Sequence, residues 1–588
     1  MALNTIVHEA DFCVVGGGLA GMCAAIAAAR QGAKVILMQE RPVLGGNTSS
    51  EIRMWICGAS GKNTRETGIV EEISLENYYR NPYRNWSIWD SVLYGKTRYE
   101  DRLELLLNCS CMDAGMDGDR IQWVKGWQMT TQTFHQVYAK IFADCSGDSI
   151  LAPLTGAEYR MGRESRHEYG ESLAVEKEDR CTMGMSCLLQ ARETTEKRGF
   201  IAPDWATEIP EEQLATRSPN MNARLQNFWY LELGGDKDSI HDTEAMRDQL
   251  IPLAFGLWNS IKKDNRYHGD NWELDWVGFL PGKRESRRYV GDHVLCQADV
   301  DAGGHFEDLI AYGGWPMDDH YPEGFYNRGN PNENHDTPSP YGIPYRCLYS
   351  KNVENLMFAG RNISASHIAM SSTRVMATCA LLGQAAGTAA AIAIRDGLTP
   401  RGVYQEKIGE LKQSLMEQDC WLPFNRRAIS PLTAEARLTA TAGDPQVLRN
   451  GYDRPIGDED NGWYGKAGDA VTFQYDQPQE IHELRLVFDS DLDRETLIKD
   501  DPQYVKATSC NIFLDSKPAH VPYTVVKRFK VEALQSGGSF VTVLQEDNNY
   551  QRLARYTLNC KTSQLRITFL ETWGGESQPV HVFAADLF

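Results

Sequence analysis

Three glycines near the start of the chain carry the spacing of a phosphate grip. In Val15-Gly16-Gly17-Gly18-Leu19-Ala20-Gly21, Gly16 permits a tight turn and Gly18 lets the backbone approach a pyrophosphate. Gly21 lets the next segment, Met22 to Arg30, pack as a helix against the preceding strand, with its positive end toward the phosphates. Glu40, about 20 residues on, follows the apolar run Lys34 to Met38 and is spaced to accept a hydrogen bond from an adenosine ribose. Strand before, helix after and acid beyond describe a βαβ unit for an adenine dinucleotide. Directly after the acid, Gly45-Gly46-Asn47-Thr48-Ser49 supplies further main-chain amides and small hydroxyls.

That second glycine pair separates the possible dinucleotides, because an NAD site has no need of it whereas an extended FAD uses it. Two distant segments agree. Ile141 to Asp148 reads as a strand running into a turn at Gly147 that presents Asp148, and Asn355 to Asn362 reads as a strand ending at Gly360-Arg361, followed by a long helix from Arg374 to Ile394. Over roughly residues 9 to 425 the chain resembles the FAD-dependent oxidoreductase family with the glutathione-reductase-type FAD fold, in the bacterial branch carrying Gly-Gly-Asn-Thr early and Ala-Gly-Arg-Asn-Ile-Ser late. The resemblance implies FAD, and it puts Gly16, Gly18, Gly21, Glu40, Gly45, Gly46, Asp148, Gly360 and Arg361 on cofactor positions. It also implies redox chemistry, in a branch often associated with carbohydrate degradation. No second glycine fingerprint follows a strand, so an electron acceptor other than a bound nicotinamide is expected. A redox-active cysteine pair is absent from the early region, where Cys57 stands alone; it is expected to be structural.

Oxidising a hydroxyl group requires a base for its proton, and histidine suits that task. His367, between the last FAD strand and the long helix, is the first candidate; His320 and then His305 follow. Asp318, Asp319 and His320 are neighbours that point in different directions, so no metal site is expected. For charge stabilisation the candidates are Arg284, on a face with Ser286 or Arg287 and fixed by Glu285, and Arg374 at the helix start. A solvated, salt-bridged strand is the alternative for the cationic run Lys283 to Arg288. The favoured function is oxidation of a carbohydrate or sugar-derivative hydroxyl. The alternatives are a reductase of activated double bonds with an arginine proton donor, a redox-assisted glycosidase, and a carbohydrate-binding protein that keeps FAD structurally.

The whole chain has 588 residues, 42% hydrophobic, with a formal charge of −20. That length suits two to four domains, and the charge argues against nucleic acid as a partner. A small-molecule or oligosaccharide substrate and a possible homo-oligomer are expected. The 14 cysteines are scattered with no Cys-x-x-Cys pair and no matching His spacing, and no secretory signal is apparent, so a cytoplasmic setting is expected. The apolar run Ala377 to Ile394 is mostly Ala and Gly and is expected to be a buried helix, not a membrane span.

The fold class expected is α/β: a Rossmann-like FAD-binding domain with an inserted α+β substrate domain and a C-terminal β-sandwich. The FAD domain comprises residues 9–155 and 343–400, interrupted by an insert at 156–342 beneath which substrate sits; a helical connector at 401–429 leads to the sandwich at 430–588. The sandwich is read from alternating apolar residues, such as Val471, Phe473 and Tyr475. It is similar to galactose-binding-like sandwiches, in which Trp463, Tyr464 and Trp573 would be sugar-stacking candidates.

Overall fold

The computed structural model describes residues 3–224, 226–494 and 511–588. They form two compact units. The first contains the described residues of Met1–Ser60, Tyr83–Lys412 and Asp501–Pro518; the second contains those of Gly61–Pro82, Gln413–Asp500 and Ala519–Phe588.

The first unit is built on a parallel sheet in the order Leu356–Phe358, Ile141–Asp144, Phe12–Val15, Val35–Met38, Leu103–Leu106. The first four of these strands are buried along their whole length, which is why they read as near-continuous apolar runs instead of alternating ones. The central strand, Phe12–Val15, ends in the glycine turn and enters the helix Leu19–Arg30. Gly16 has φ +104°, and a Cβ there would lie 2.4 Å from the Cys145 carbonyl carbon; a Cβ on Gly21 would lie 1.8 Å from the Gly16 oxygen. No other residue fits either place. The Ala/Gly-rich helix, Met376–Asp396, lies against Leu19–Arg30, and Cβ atoms on Gly383 and Gly387 would stand 2.0 Å from the carbonyl oxygens of Ala20 and Ala24. Small residues in this helix are therefore a packing requirement. It is the one helix among the described residues long and apolar enough to cross a membrane, and 94% of its most apolar window is buried inside the fold. The expected start at Arg374 moves: Arg374 ends a separate short helix, His367–Thr373, and the long helix begins at Met376.

An antiparallel meander, Cys109–Asp117, Arg120–Gln128 and Thr133–Tyr138, with Asn4–Glu9 added in parallel, contributes Cys109, Ile121, Val124 and Val137 to the apolar core shared with the parallel sheet. Between Tyr159 and Pro344 the chain mixes small two- and three-stranded sheets with the helix Thr243–Lys263 around a core that includes Met185, Leu189, Leu250, Leu257 and Trp258. Two of these sheets place the chemistry: Glu232–Leu233 with Met185–Ser186 and Gly282–Lys283, and Met317–His320 with Asn332–His335.

The second unit is an antiparallel sheet in which the long strands Ala470–Phe488 and Leu553–Thr572 pair along most of their length through register shifts. Phe473, Leu486, Phe529, Ile567, Phe569 and Val582 meet in one core. Trp463 belongs to that core at 1% exposure, donating from Nε1 to the Ala442 carbonyl at 2.8 Å, so it is not a stacking platform. Tyr464 remains half exposed and stacks on His581, and Trp573 donates to the Asn549 carbonyl. The unit takes in more chain than the expected 430–588. Helix Pro400–Glu417 fills part of the expected connector, and helix Ile69–Arg80 from the N-terminal third belongs to the second unit. Buried Glu71 on that helix pairs with Arg494 at 2.7 Å, 423 residues away, and accepts from Ser490 at 2.7 Å.

Candidate functional site

The C-terminal ends of the parallel strands open into a cavity of about 610 Å³. Strand ends of an open α/β sheet are where ligands bind, because loops and helix starts converge there. One part of the wall is glycine backbone: Gly16, Gly17 and Gly18, then Gly45, Gly46 and Asn47. The Gly45 amide donates to the Gly17 carbonyl at 2.9 Å, and Gln39 pins both loops, accepting from the Gly17 amide at 2.7 Å and donating to the Val43 carbonyl at 3.0 Å. Gly18 faces Gly46 so closely that a Cβ on Gly46 would stand 3.2 Å from the Gly18 Cα. Glu40 lines the cavity with its side chain 65% exposed.

Gly147, Asp148, Gly360 and Arg361 line the same cavity. The Arg361 guanidinium lies across Gly147, where a Cβ would come within 2.8 Å of it, and donates to Asp148 at 2.8 Å. Lys283 reaches the same carboxylate at 2.6 Å and Ser286 donates to it at 2.8 Å. Burial works against the Asp148 carboxylate, but Arg361 and Lys283 outweigh it and hold the group below the usual carboxylate range. Three expected residues stand off the wall. Gly21 packs behind the turn, while Thr48 and Ser49 are buried away from the cavity.

The other part of the wall carries titratable and amide side chains: His320, Asp318, Arg374, Arg284, Asn227 and Asn332. Side chains alternate along the strand Met317–His320, so Asp318 and His320 share one face and Asp319 takes the other. His320 is buried, with Nδ1 2.6 Å from Glu232 Oε2 and Nε2 3.4 Å from Asp318 Oδ2, and its ring meets Trp229 edge to face at 5.3 Å. Burial raises the cost of a charged Glu232, yet Arg284 and His320 outweigh that cost and keep the carboxyl below its ordinary pKa. Arg284 donates to Ser186 Oγ and the Trp229 carbonyl, both at 2.9 Å. Its carboxylate partner is Glu232 at 3.4 Å, where Glu285 was expected. Arg374 donates from Nη2 to Asp318 Oδ2 at 2.9 Å, and its buried Nε has no partner among the described residues.

His367, the first candidate for the base, lies off this cavity. Its Nδ1 is 2.9 Å from Glu285 and its Nε2 3.0 Å from Asp319, while Glu164 accepts from its amide. Glu285 also pairs with Arg288, which reaches Glu164 at 2.6 Å. Burial opposes a charged ring, but Glu285 and Asp319 push its pKa up to about 10. A protonated ring held by carboxylates at 2.9 and 3.0 Å on its two nitrogens has no free lone pair to accept a substrate proton. His305 also lies off the cavity. Glu232, Asp318, Asn227 and Asn332 were not expected as site residues. Strand alternation around His320 could have found Asp318; Glu232, 88 residues from its partner, carries no local signal.

The His367 cluster makes a stability prediction with a definite sign. A histidine whose folded pKa is raised from about 6.5 to about 10 contributes stability that is full below about pH 6.5, shrinks above it and is gone beyond about pH 10. Replacing His367 by Gln also leaves buried carboxylates uncompensated, at a cost of about 3–5 kcal/mol. The gap between parent and His367→Gln in urea unfolding should be largest at pH 6 and narrow steadily to pH 10; a gap independent of pH would contradict the charged ring.

A family model described as FAD dependent oxidoreductase matches residues 11–415. No match was found among curated proteins. Among solved structures, the chain is similar to the family 32 carbohydrate-binding module from Streptococcus pneumoniae EndoD, at 9% identity and TM-score 0.20, over 27% of this chain and 99% of that one. It is also similar to CpGH89CBM32-5 from Clostridium perfringens, in complex with GalNAc-beta-1,3-galactose, at 12% identity and TM-score 0.19, over 27% of this chain and 97% of that one. Likeness at these TM-scores says nothing of what this chain binds.

Proposed function

Because the chain belongs to the FAD dependent oxidoreductase family, we propose that it oxidises a hydroxyl group of a carbohydrate or sugar derivative and that His320 accepts the hydroxyl proton. FAD is its cofactor. The residues fit that group: among the described residues no side chain caps the helix start at Gly18, no acid stands in its first turn, and Gly18 and Gly46 leave a backbone-only cleft. Buried Arg361 Nε, on the wall, has no partner among the described residues. We assign Gly16, Gly18, Glu40, Gly45, Gly46, Asn47, Gly147, Asp148, Gly360 and Arg361 to hold it, with Gly21, Thr48 and Ser49 supporting those loops from behind.

The observation that carries the reading is the Glu232–His320–Asp318 array on the wall of the glycine-lined cavity. With Glu232 accepting from Nδ1–H, Nε2 is the basic nitrogen. In that tautomer Nε2 carries a lone pair and the Asp318 carboxylate, 3.4 Å away, has no proton to give it, so a substrate hydroxyl entering between them can donate to Nε2 and pass its proton there. Asp318 and Glu232 then hold the protonated ring, while Arg284 and Arg374 fix those two carboxylates. Bound FAD supplies a two-electron acceptor for the hydride leaving the carbinol carbon. Asn227, Asn332 and Ser186 offer neutral donors and acceptors, and Trp229 and Trp315 offer apolar faces; this mixture suits a ring bearing several hydroxyls. The unpaired Arg374 Nε favours a second reading, a reductase of activated double bonds in which Arg374 is the proton donor.

Anaerobic titration of the holoenzyme with a panel of sugars, non-sugar alcohols and enones separates these readings. At least one sugar should bleach the flavin. Reoxidation of chemically reduced enzyme by an enone, with no bleaching by any sugar, would overturn hydroxyl oxidation in favour of the reductase.

A further inference from the structure

A second concavity, of about 570 Å³, shares Asn332 and Asn334 with the cavity wall and continues outward over Tyr321, Asn327, Asn330 and Glu333. The shared residues sit on the strand that pairs with Met317–His320, with Asn332 opposite His320 and Asn334 opposite Asp318. One short strand thus walls the reaction cavity and floors the groove. Asn332 and Asn334 lie about 7 Å apart along the strand, and both line the cavity and the groove, so the two share a border of that length.

The groove is built, not an accident of a surface loop. Buried Arg217 donates to four carbonyls of the turn that forms its edge: Gly324 at 3.1 Å, Phe325 at 2.6 Å, Asn327 at 3.0 Å and Gly329 at 2.7 Å. Gln213 adds a bond to Asn327 at 3.2 Å, and Asn327 itself donates to the Asn330 carbonyl at 2.6 Å. A guanidinium engaged in this way fixes the backbone before any ligand arrives, which lowers the entropy cost of binding. Inside this frame, the side-chain amides of Asn330 and Asn334 have no partner among the described residues, and the Tyr321 ring is exposed and oriented by its hydroxyl bond to Glu333 at 3.0 Å.

Chemistry narrows the occupant. Among the described residues no lysine or arginine lines the groove, so it offers nothing to a phosphate or a polyanion. Apart from Tyr321 the described residues that line it include no apolar side chain, so it offers nothing to a lipid or an amphipathic helix. Four side-chain amides, a carboxylate acceptor and one exposed aromatic face match a neutral ring carrying hydroxyls. Resting on the carbohydrate reading above, we propose that this groove is a second sugar subsite, and that the substrate is an oligosaccharide or glycoside whose reacting residue lies at His320 while the next residue lies on Tyr321 and Asn330.

The test is stopped-flow flavin reduction of the holoenzyme by matched pairs: galactose and lactose, glucose and cellobiose, mannose and mannobiose, N-acetylglucosamine and chitobiose. At least one disaccharide should show about a tenfold lower half-saturating concentration than its monosaccharide, the worth of one or two hydrogen bonds. Tyr321→Ala and Asn330→Ala should each remove most of that factor while leaving the monosaccharide rate and the flavin spectrum unchanged. Monosaccharides that reduce the flavin as well as their disaccharides, or variants that weaken both lengths equally, would overturn the subsite and leave hydroxyl oxidation standing. Failure of every saccharide of both lengths would overturn the two together.

Discussion

Gly18→Val should give a folded protein that is no longer yellow. The position takes a side chain without backbone strain, since Gly18 has φ −67° and ψ 176°, and a Cβ there would meet nothing closer than the Gly46 Cα at 3.9 Å. The isopropyl group therefore grows into the cleft between the two glycine loops, not into the core. A pyrophosphate held there by main-chain amides at the helix start would lose at least two charge-assisted hydrogen bonds, each contributing about 1.5–3 kcal/mol. The FAD dissociation constant should rise by roughly 10²- to 10⁴-fold, with the circular dichroism spectrum of the apoprotein retained. Full flavin occupancy in Gly18→Val would contradict the assignment. Gly16→Val and Gly21→Val are unsuitable for the same purpose, because their side chains collide with backbone at 2.4 and 1.8 Å and damage the fold itself.

The glycine-lined wall of the cavity was legible because it rests on backbone. Gly16, Gly45, Gly46 and Gly147 all have positive φ, and a conformation that only glycine adopts easily leaves its mark in sequence. Fully buried parallel strands left theirs too, as short apolar runs. The wall that carries His320 was less legible because it depends on which way side chains turn. His367 stands where the chain comes back from the last FAD strand, but Ser366 caps the short helix that starts there, accepting from the Ala369 amide, and the ring meets Glu285 and Asp319 away from the cavity. Glu285 follows Arg284 and Asp319 follows Asp318, so each of these neighbours faces opposite ways: one toward the cavity, one toward the buried cluster. A catalogue of charged residues cannot separate them; strand alternation can. In the second unit the missing information was pairing at a distance. Nothing near Glu71 announces that Arg494 completes it, and Trp463, with the composition of a ligand platform, is packed beside Phe569 in the core.

His320→Asn should retain FAD and its spectrum while slowing flavin reduction by about 10²- to 10⁴-fold, the usual contribution of a positioned general base. Asparagine keeps a polar group of similar reach against Glu232 but cannot take the proton. The loss should appear in the limiting rate more than in the half-saturating sugar concentration, because the interaction removed belongs to the transition state. His367→Asn is the control that gives the experiment its force: it removes a charged ring from the neighbouring strand face without touching the cavity, so it should lower stability and leave flavin reduction within about tenfold of the parent. The decisive measurement is therefore the anaerobic stopped-flow rate of flavin reduction by the best sugar of the panel in the parent, His320→Asn and His367→Asn proteins. The account predicts a collapse in His320→Asn alone; a parent-like rate in His320→Asn would contradict it.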